Sequence, residues 1–437
     1  MNFKTFAFHP AVARGIDDAG YANPTPIQQQ AMPAVIDGRD VMGLAQTGTG
    51  KTAAFALPIL HRLMCRPRKG VSALIIAPTR ELAEQIHMEF QVLGRHTGLR
   101  SAVVYGGVGI NPQIRVLERA HIVVGCPGRL LDHLGRGTLD LSHLAVLVLD
   151  EADQMFDMGF LPDIRRILGH IAAGRQTLLF SATMPADIRS LASEILRDPV
   201  TVHIGSTAPA QTVKHALFPV AAHLKTALLI RLLAHANDGS VLVFTRTKHR
   251  ARSLGEKLVR AGFRSTSLQG NLSQGRRQAA MNGFRSGEFQ VLVATDIAAR
   301  GIDVRSVSHV INYDVPTTPE VYIHRIGRTG RAECSGDAYT LITGEDAAMV
   351  RAINRAVGSN VEQRILEDFD YGQPSAAGSG RAAGDRARRK AETGKGGDTP
   401  QTARSRTTTR RRDGKGAFAW LSPQPRRRTG DSRRAKA

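Results

Sequence analysis

Short runs of β-branched and aliphatic residues punctuate this chain, and each closes on small or polar residues. In the first half they are ALIIAPT (73–79), SAVVYGG (101–107), HIVVGCPG (121–128), AVLVLDEAD (145–153) and TLLFSAT (177–183). The second half repeats the pattern with SVLVFTRT (240–247), VLVATD (291–296), HVINYD (309–314) and AYTLIT (338–343). Runs apolar on both faces suit parallel strands covered by helices. Stretches such as ELAEQIHMEFQVL (81–93) and RARSLGEKLVRAG (250–262) separate them and read as helices. Strand–helix alternation that occurs twice predicts an α/β fold in two units. Ligands of open parallel sheets sit at the carboxyl ends of the strands, so the polar residues closing each run are the candidates for chemistry.

At 437 residues the chain exceeds what one core supports. The small, polar IGSTAPAQT (204–212) reads as a hinge. The expected division is therefore 1–205, a linker at 206–213, and 214–365. Beyond Tyr371 large apolar residues nearly vanish, and 372–437 are expected to be disordered because they cannot offset their chain entropy. The net charge of +21 is uneven: from Tyr371 onward there are 18 Lys+Arg against 5 Asp+Glu, and the remainder keeps +8. Both parts are basic, which points to a polyanionic partner. Cys65, Cys126 and Cys334 show neither metal nor disulfide spacing, which suits a reducing compartment. With no apolar run of membrane-spanning length and no leader pattern, a soluble cytoplasmic protein is expected, without a membrane partner. No motif requires a second chain, so a monomer is expected.

AQTGTGKT (45–52) follows the run DVMGLA and precedes the helical AAFALPIL. Glycines let a backbone wrap phosphate closely, and the helix start beyond favours negative charge. Ala45, Gln46, Thr47, Gly48, Thr49, Gly50, Lys51 and Thr52 would form this cradle. Lys51 would meet the β and γ phosphates of ATP, and the Thr52 hydroxyl would hold Mg²⁺. Ala45 stands where the strict P-loop pattern has glycine. Asp150, closing a buried strand, would hold Mg²⁺ partly through water, and Glu151 would orient or deprotonate the attacking water. Alone, Asp-Glu after such a run is more often a helix cap; paired with the upstream loop, it reads as catalytic.

With AQTGTGKT, PTRELA (78–83), DEAD (150–153), SAT (181–183), ATDIAARGID (294–303) and HRIGRTGR (324–331), the chain resembles a DEAD-box RNA helicase over roughly residues 1 to 360. GGVGINPQ (106–113) and VFTRTKH (243–249) resemble the family's bacterial RhlE-like branch. The resemblance implies two tandem RecA-like domains, each a parallel sheet flanked by helices, closing together over ATP and RNA, with the disordered basic tail beyond. GYANPTPIQ (20–28) matches the adenine-reading motif, which implies that Gln28 bonds the adenine edge and that Phe3 stacks on the ring. Asp303 matches the ribose contact. Ser181 and Thr183 match the motif that couples nucleotide to interface, and His324 and Arg325 are implied to tie HRIGRTGR to that interface. Arg328 and Arg331 match the finger positions; such an arginine is worth about 10³ to 10⁵ in rate, against about 0 to 1 kcal/mol for an exposed ion pair.

The implied RNA contacts are Pro78, Thr79, Arg80, Gly106, Gly107, Pro127, Gly128 and Arg129 in the first unit. Thr245, Arg246, Gln269, Gly270, Arg277 and Thr295 follow in the second. Backbone amides, hydroxyls and arginines at phosphate and sugar give grip with little base preference. Two departures stand out. Cys126 replaces the family's threonine and so lacks a hydroxyl, and Gln154 and Phe156 replace a commoner arginine and leucine. The basic tail, with RRR at 410–412 and 426–428 around GAFAW (416–420), would tether RNA. The expected function is RNA-stimulated ATP hydrolysis coupled to domain closure and local duplex unwinding. An RNA clamp or annealing scaffold with ATP as a grip switch, and a DNA-directed translocase, are the competing readings.

Overall fold

The computed structural model describes residues 2–46, 48–204, 213–236, 239–299, 307–329 and 336–373. Within these, fourteen strands form two all-parallel sheets. The first contains β1 (Val41–Ala45), β2 (Ala73–Ile76), β3 (Ser101–Val104), β4 (Ile122–Gly125), β5 (Val146–Leu149), β6 (Gln176–Ser181) and β7 (Val200–Ile204). The second contains β8 (Val213–Pro219), β9 (Val241–Phe244), β10 (Ser265–Leu268), β11 (Val291–Ala294), β12 (His309–Asn312), β13 (Gly336–Ile342) and β14 (Glu362–Gln363).

The spatial orders are β3-β4-β2-β5-β6-β1-β7 and β10-β11-β9-β12-β13-β8-β14. Renumbered from its own first strand, the second sheet has the same order as the first: the two halves are one architecture used twice, the tandem RecA-like fold expected from the sequence. The central strands β2, β4 and β5 are buried at every position, as are β9 and β11. Their aliphatic side chains pack against helices on both faces, which is why they read as unbroken apolar runs. The expected helices form as Arg80–Leu93 and Lys248–Arg260, capped by the hydroxyls of Thr79 and Thr247, which accept from the Leu82 and Arg250 N–H groups.

Each half opens its P-loop-like crossing in the same way. The helix Lys51–Cys65 follows β1, and the helix Lys225–His235 follows β8. Lys225 is spent inside its own sheet, its ammonium donating to the carbonyls of Tyr313 (3.1 Å) and Leu341 (3.0 Å). The chain leaves β7 at Ile204 and enters β8 at Val213, the last residue of the expected linker. The rest of that linker, and the tail beyond Gln373, lie outside the described residues. No helix among the described residues is long and apolar enough to cross a membrane.

Candidate active site and nucleic-acid interface

The candidate residues of the first half lie after the carboxyl ends of β1, β2, β3, β4, β5 and β6. β1 ends at Ala45, whose carbonyl accepts the Lys51 ammonium at 2.9 Å. Gln46 O accepts the Thr49 hydroxyl at 2.8 Å, and Lys51 opens the following helix, buried. Gly50 takes a left-handed φ of 92°. A Cβ there would lie 2.6 Å from Gln28 Nε2 and 2.9 Å from Thr25 Oγ1, so only glycine fits. Gln28 is what crowds it: Nε2 donates to Gly50 O at 3.1 Å, while Oε1 accepts the Thr25 N–H at 2.9 Å in a capping box. The GYANPTPIQ and AQTGTGKT motifs are thereby one hydrogen-bonded unit. Phe3 packs in the core against Phe6 and Tyr21, with ring centroids 6.3 and 6.0 Å away. Thr47 lies outside the described residues.

Across the loop, Asp150 follows β5 and is buried, its Oδ1 accepting the Glu151 N–H at 3.0 Å. Burial pushes its carboxyl up to about 7, against the opposing pull of Lys51. Glu151 is buried in a left-handed conformation, φ 52°, a conformation uncommon for a non-glycine residue. A backbone held there costs on the order of 1 kcal/mol or more and clusters at functional sites.

Asp153, which sequence reasoning passed over, is the hub of the next layer. Its Oδ2 accepts the Ala182 N–H (3.1 Å), the Thr183 N–H (2.8 Å) and the Thr183 hydroxyl (3.0 Å). Its own N–H donates to Ser181 Oγ at 3.2 Å. Across the cleft, His324 Nε2 stands 3.8 Å from the same Oδ2. Burial lowers the pKa of His324 and Asp153 partly opposes this. Ser181, Thr183 and His324 are thus brought together around one carboxylate; the signal available was the last letter of DEAD.

Arg325 turns the other way. Its guanidinium donates to Asp296 Oδ1 (2.5 Å) and Oδ2 (2.8 Å), to Asn312 Oδ1 (3.0 Å) and to the Asp314 carbonyl (2.8 Å), all in the second half. It also lies 5.0 Å over the Phe244 ring. It braces the helix Pro319–Ile326 from within. Arg328 is buried and lines a small cavity with His324 and, from the first half, Gln154. The departure at Gln154 therefore falls at the seam between the halves. Asp303 and Arg331 lie outside the described residues.

The candidate nucleic-acid residues form a second seam beside the first. Thr79 caps its helix, and Arg80 Nη1 donates to Gln274 Oε1 of the second half at 3.3 Å. A Cβ on Gly107 would lie 2.4 Å from Arg80 Nη1, so the guanidinium rests directly on that glycine. Arg277 Nε donates to Glu81 Oε1 at 2.8 Å, and Nη1 to Gln269 O at 3.4 Å. The Arg277–Glu81 ion pair is nearly sealed, with side chains 10% and 8% exposed. Arg277 thus spans the two halves, a partnership with Glu81 that sequence reasoning missed because the two lie 196 residues apart. Gly270 and Gly128 are exposed, Gly106 and Thr295 half-buried, and Pro78, Pro127 and Thr245 buried. Arg246 is exposed, its N–H donating to Asp314 Oδ2 at 2.8 Å, while Arg129 Nη2 donates to Val108 O at 3.1 Å. Half-buried Cys126 caps the helix Pro127–Gly135 without a side-chain hydrogen bond, and desolvation pushes its thiol up to about 12.

Two RecA-like halves, with the AQTGTGKT loop and the DEAD acids in one and His324 facing Asp153 from the other, have the architecture of the helicase class. A model of the DEAD/DEAH box helicase family matches residues 25–191, and one of the helicase conserved C-terminal domain matches 224–333. The chain is 42% identical over 365 residues to a DEAD-box ATP-dependent RNA helicase, CshA, of Geobacillus kaustophilus, covering 83% of this chain and 78% of that one. The chain belongs to the DEAD-box family of RNA helicases. Among solved structures it is similar to S. cerevisiae Dbp5 bound to RNA and ADP BeF3, with a TM-score of 0.76, 30% identity, and 88% and 99% of the two chains covered. Against a Dbp5 variant bound to Nup159, a Gle1 variant, IP6 and ADP, the TM-score is 0.58 at 30% identity, covering 86% and 100%.

Proposed function

We propose that this ATP-dependent RNA helicase couples RNA-stimulated ATP hydrolysis to closure of its two halves, and that the closed cleft separates or remodels short RNA duplexes. The observation that carries the coupling is the double seam. Along one, His324 of the second half faces Asp153 of the first; along the other, Arg277 and Glu81 form a nearly sealed ion pair beside the candidate RNA loops. Both ligands then favour one closed state, and each raises the other's affinity. Two structures of one yeast protein, in different complexes, fit this chain with TM-scores of 0.76 and 0.58. The higher score, to the RNA and ADP BeF3 complex, supports reading the described arrangement as the closed one. We take 1–205 and 214–365 as the moving units, with 206–213 as their hinge.

In this reading Lys51 neutralises the β and γ phosphates, Gln28 reads the adenine and Asp303 the ribose. Glu151, buried on a left-handed backbone beside Asp150, accepts a proton from the attacking water. Arg328 and Arg331 offset charge on the transferred phosphoryl group. The donor set fits Mg²⁺: Thr52 and Asp150 are oxygen ligands, and a divalent cation would offset the cost of Asp150's burial. Thr52 and Asp150 would hold the ion, which would supply positive charge against the phosphates. Residues 372–437 would add a salt-sensitive RNA tether, on a chain acting as a cytoplasmic monomer.

The test is steady-state ATP hydrolysis without nucleic acid, with single-stranded RNA and with matched DNA, for the wild type and Arg328→Ala. Stimulation by RNA alone, lost about 10³-fold or more in the variant, is expected. Hydrolysis indifferent to RNA would remove the coupling, and equal stimulation by DNA would favour a translocase.

A further inference from the structure

Away from both seams, at the amino end of β3, a groove of about 880 Å³ opens at the outer edge of the first sheet. Arg95, Arg100, Arg115 and Arg119 line it, with Glu118 as the one acidic residue in its wall. Arg95 is paired with Asp18 at 3.3 Å. Among the described residues, the side chains of Arg100, Arg115 and Arg119 have no ion-pair partner; Arg115 lies in the last turn of the helix Ile110–Leu117 and Arg119 in the turn just beyond it. Three exposed guanidiniums around one concavity make a ready-made anion receptor.

Guanidinium forks match carboxylate and phosphate equally well, so the rest of the groove decides. Leu99 and Val116 also line it, and Val116 is 50% exposed. Apolar contacts of this kind add nothing to a phosphodiester and suit a peptide side chain. β3 heads the strand order, so one of its edges carries unpaired backbone groups, the template on which an extended peptide adds a strand. The candidate RNA loop at Gly106 and Gly107 follows the other end of β3.

We propose that this arginine-lined groove, formed by Leu99, Arg100, Arg115, Val116 and Arg119, is a docking site for an extended acidic segment of a partner protein that carries aliphatic side chains among its carboxylates. A DEAD-box core docked in this way would be recruited without blocking either the nucleotide loop or the RNA loops.

The test uses the full-length protein saturated with single-stranded RNA, so that other phosphate-binding surfaces are occupied. A fluorescein-labelled peptide of alternating Asp and Leu is titrated at physiological salt and followed by anisotropy. Reversing both charges in Arg115→Glu/Arg119→Glu should weaken binding about tenfold, and Val116→Ser about threefold. Arg351→Glu/Arg355→Glu, on a distant exposed helix, should leave it unchanged, and RNA-stimulated ATP hydrolysis should be unchanged in all three variants. Peptide binding indifferent to the Arg115/Arg119 reversal would overturn the proposal. So would displacement of the peptide by added RNA, which would make the groove a phosphate surface, or indifference to Val116→Ser, which would reduce it to a general anion patch.

Discussion

The Arg277–Glu81 pair offers a sharp separation of two roles for one arginine. As a direct RNA contact, Arg277 would act from the second half alone. As the structure places it, the guanidinium is held 2.8 Å from a carboxylate of the first half, with both side chains about nine-tenths buried. Removing one partner of a buried pair costs about 3 to 5 kcal/mol. The residual exposure and the chance for each group to rehydrate when the halves part reduce this to about 2 to 3 kcal/mol, charged to closure and not to the fold of either half. At about 1.4 kcal/mol per decade, that is a loss of roughly 30- to 150-fold in closed population. Glu81→Gln is the decisive variant, read as the RNA concentration giving half-maximal ATP hydrolysis. A latch predicts a rise of about 30-fold or more, with partial rescue by the exchange Glu81→Arg/Arg277→Glu. A purely RNA-directed Arg277 predicts the opposite: losing a carboxylate beside it leaves RNA binding unchanged or tighter. A half-maximal concentration within about twofold of wild type, or an exchange variant no better than the single ones, would refute the latch.

Cys126→Thr should give the helix Pro127–Gly135 the hydroxyl cap it lacks, adding about 0.5 to 1 kcal/mol and raising Tm by roughly 2 to 4 °C; RNA affinity should rise slightly, and an unchanged Tm in calorimetry would show that the site cannot seat the cap. Gly50→Ala forces a Cβ to within 2.6 Å of Gln28 at a φ that disfavours side chains, so binding of a fluorescent ATP analogue should fall about tenfold or more; retained affinity would mean that the loop relaxes freely. Burial lowers the pKa of His324 in the closed cleft and Arg328 adds to this, while Asp153, Glu151 and Asp157 oppose it. Once the halves part, its pKa returns to about 6.5, so closure is fully supported above that pH and weakens as pH falls below it. Half-maximal RNA concentrations should therefore rise between pH 7.5 and about 5.8, and His324→Asn should flatten the profile; parallel profiles would discount the histidine.

What could be read from the sequence follows burial. β2, β5, β9 and β11 are sealed on both faces, so their composition alone marks them. β10 at Ser265–Leu268 is an edge strand with Thr266 and Ser267 half-buried, and β7 has Val202 as its one buried residue, so neither carries an unbroken apolar run. Within the site, the phosphate loop and Asp150–Glu151 are local patterns whose chemistry lies in their spacing. The partners Glu81, Gln274 and Asp153 were not legible in the same way. An acid on one domain gains its meaning from a base or hydroxyl on another element, and no local pattern records that meeting.

The shared strand order has a final consequence at its two lysines. Lys51 and Lys225 open equivalent helices after equivalent strands, yet Lys51 donates, among the described residues, to the one carbonyl of Ala45, while Lys225 donates to the carbonyls of Tyr313 and Leu341 in its own half. One copy of the architecture thus keeps its lysine available for a visitor, and the other has turned the same position into masonry. Two halves of one architecture are in this way made lopsided at a single equivalent position.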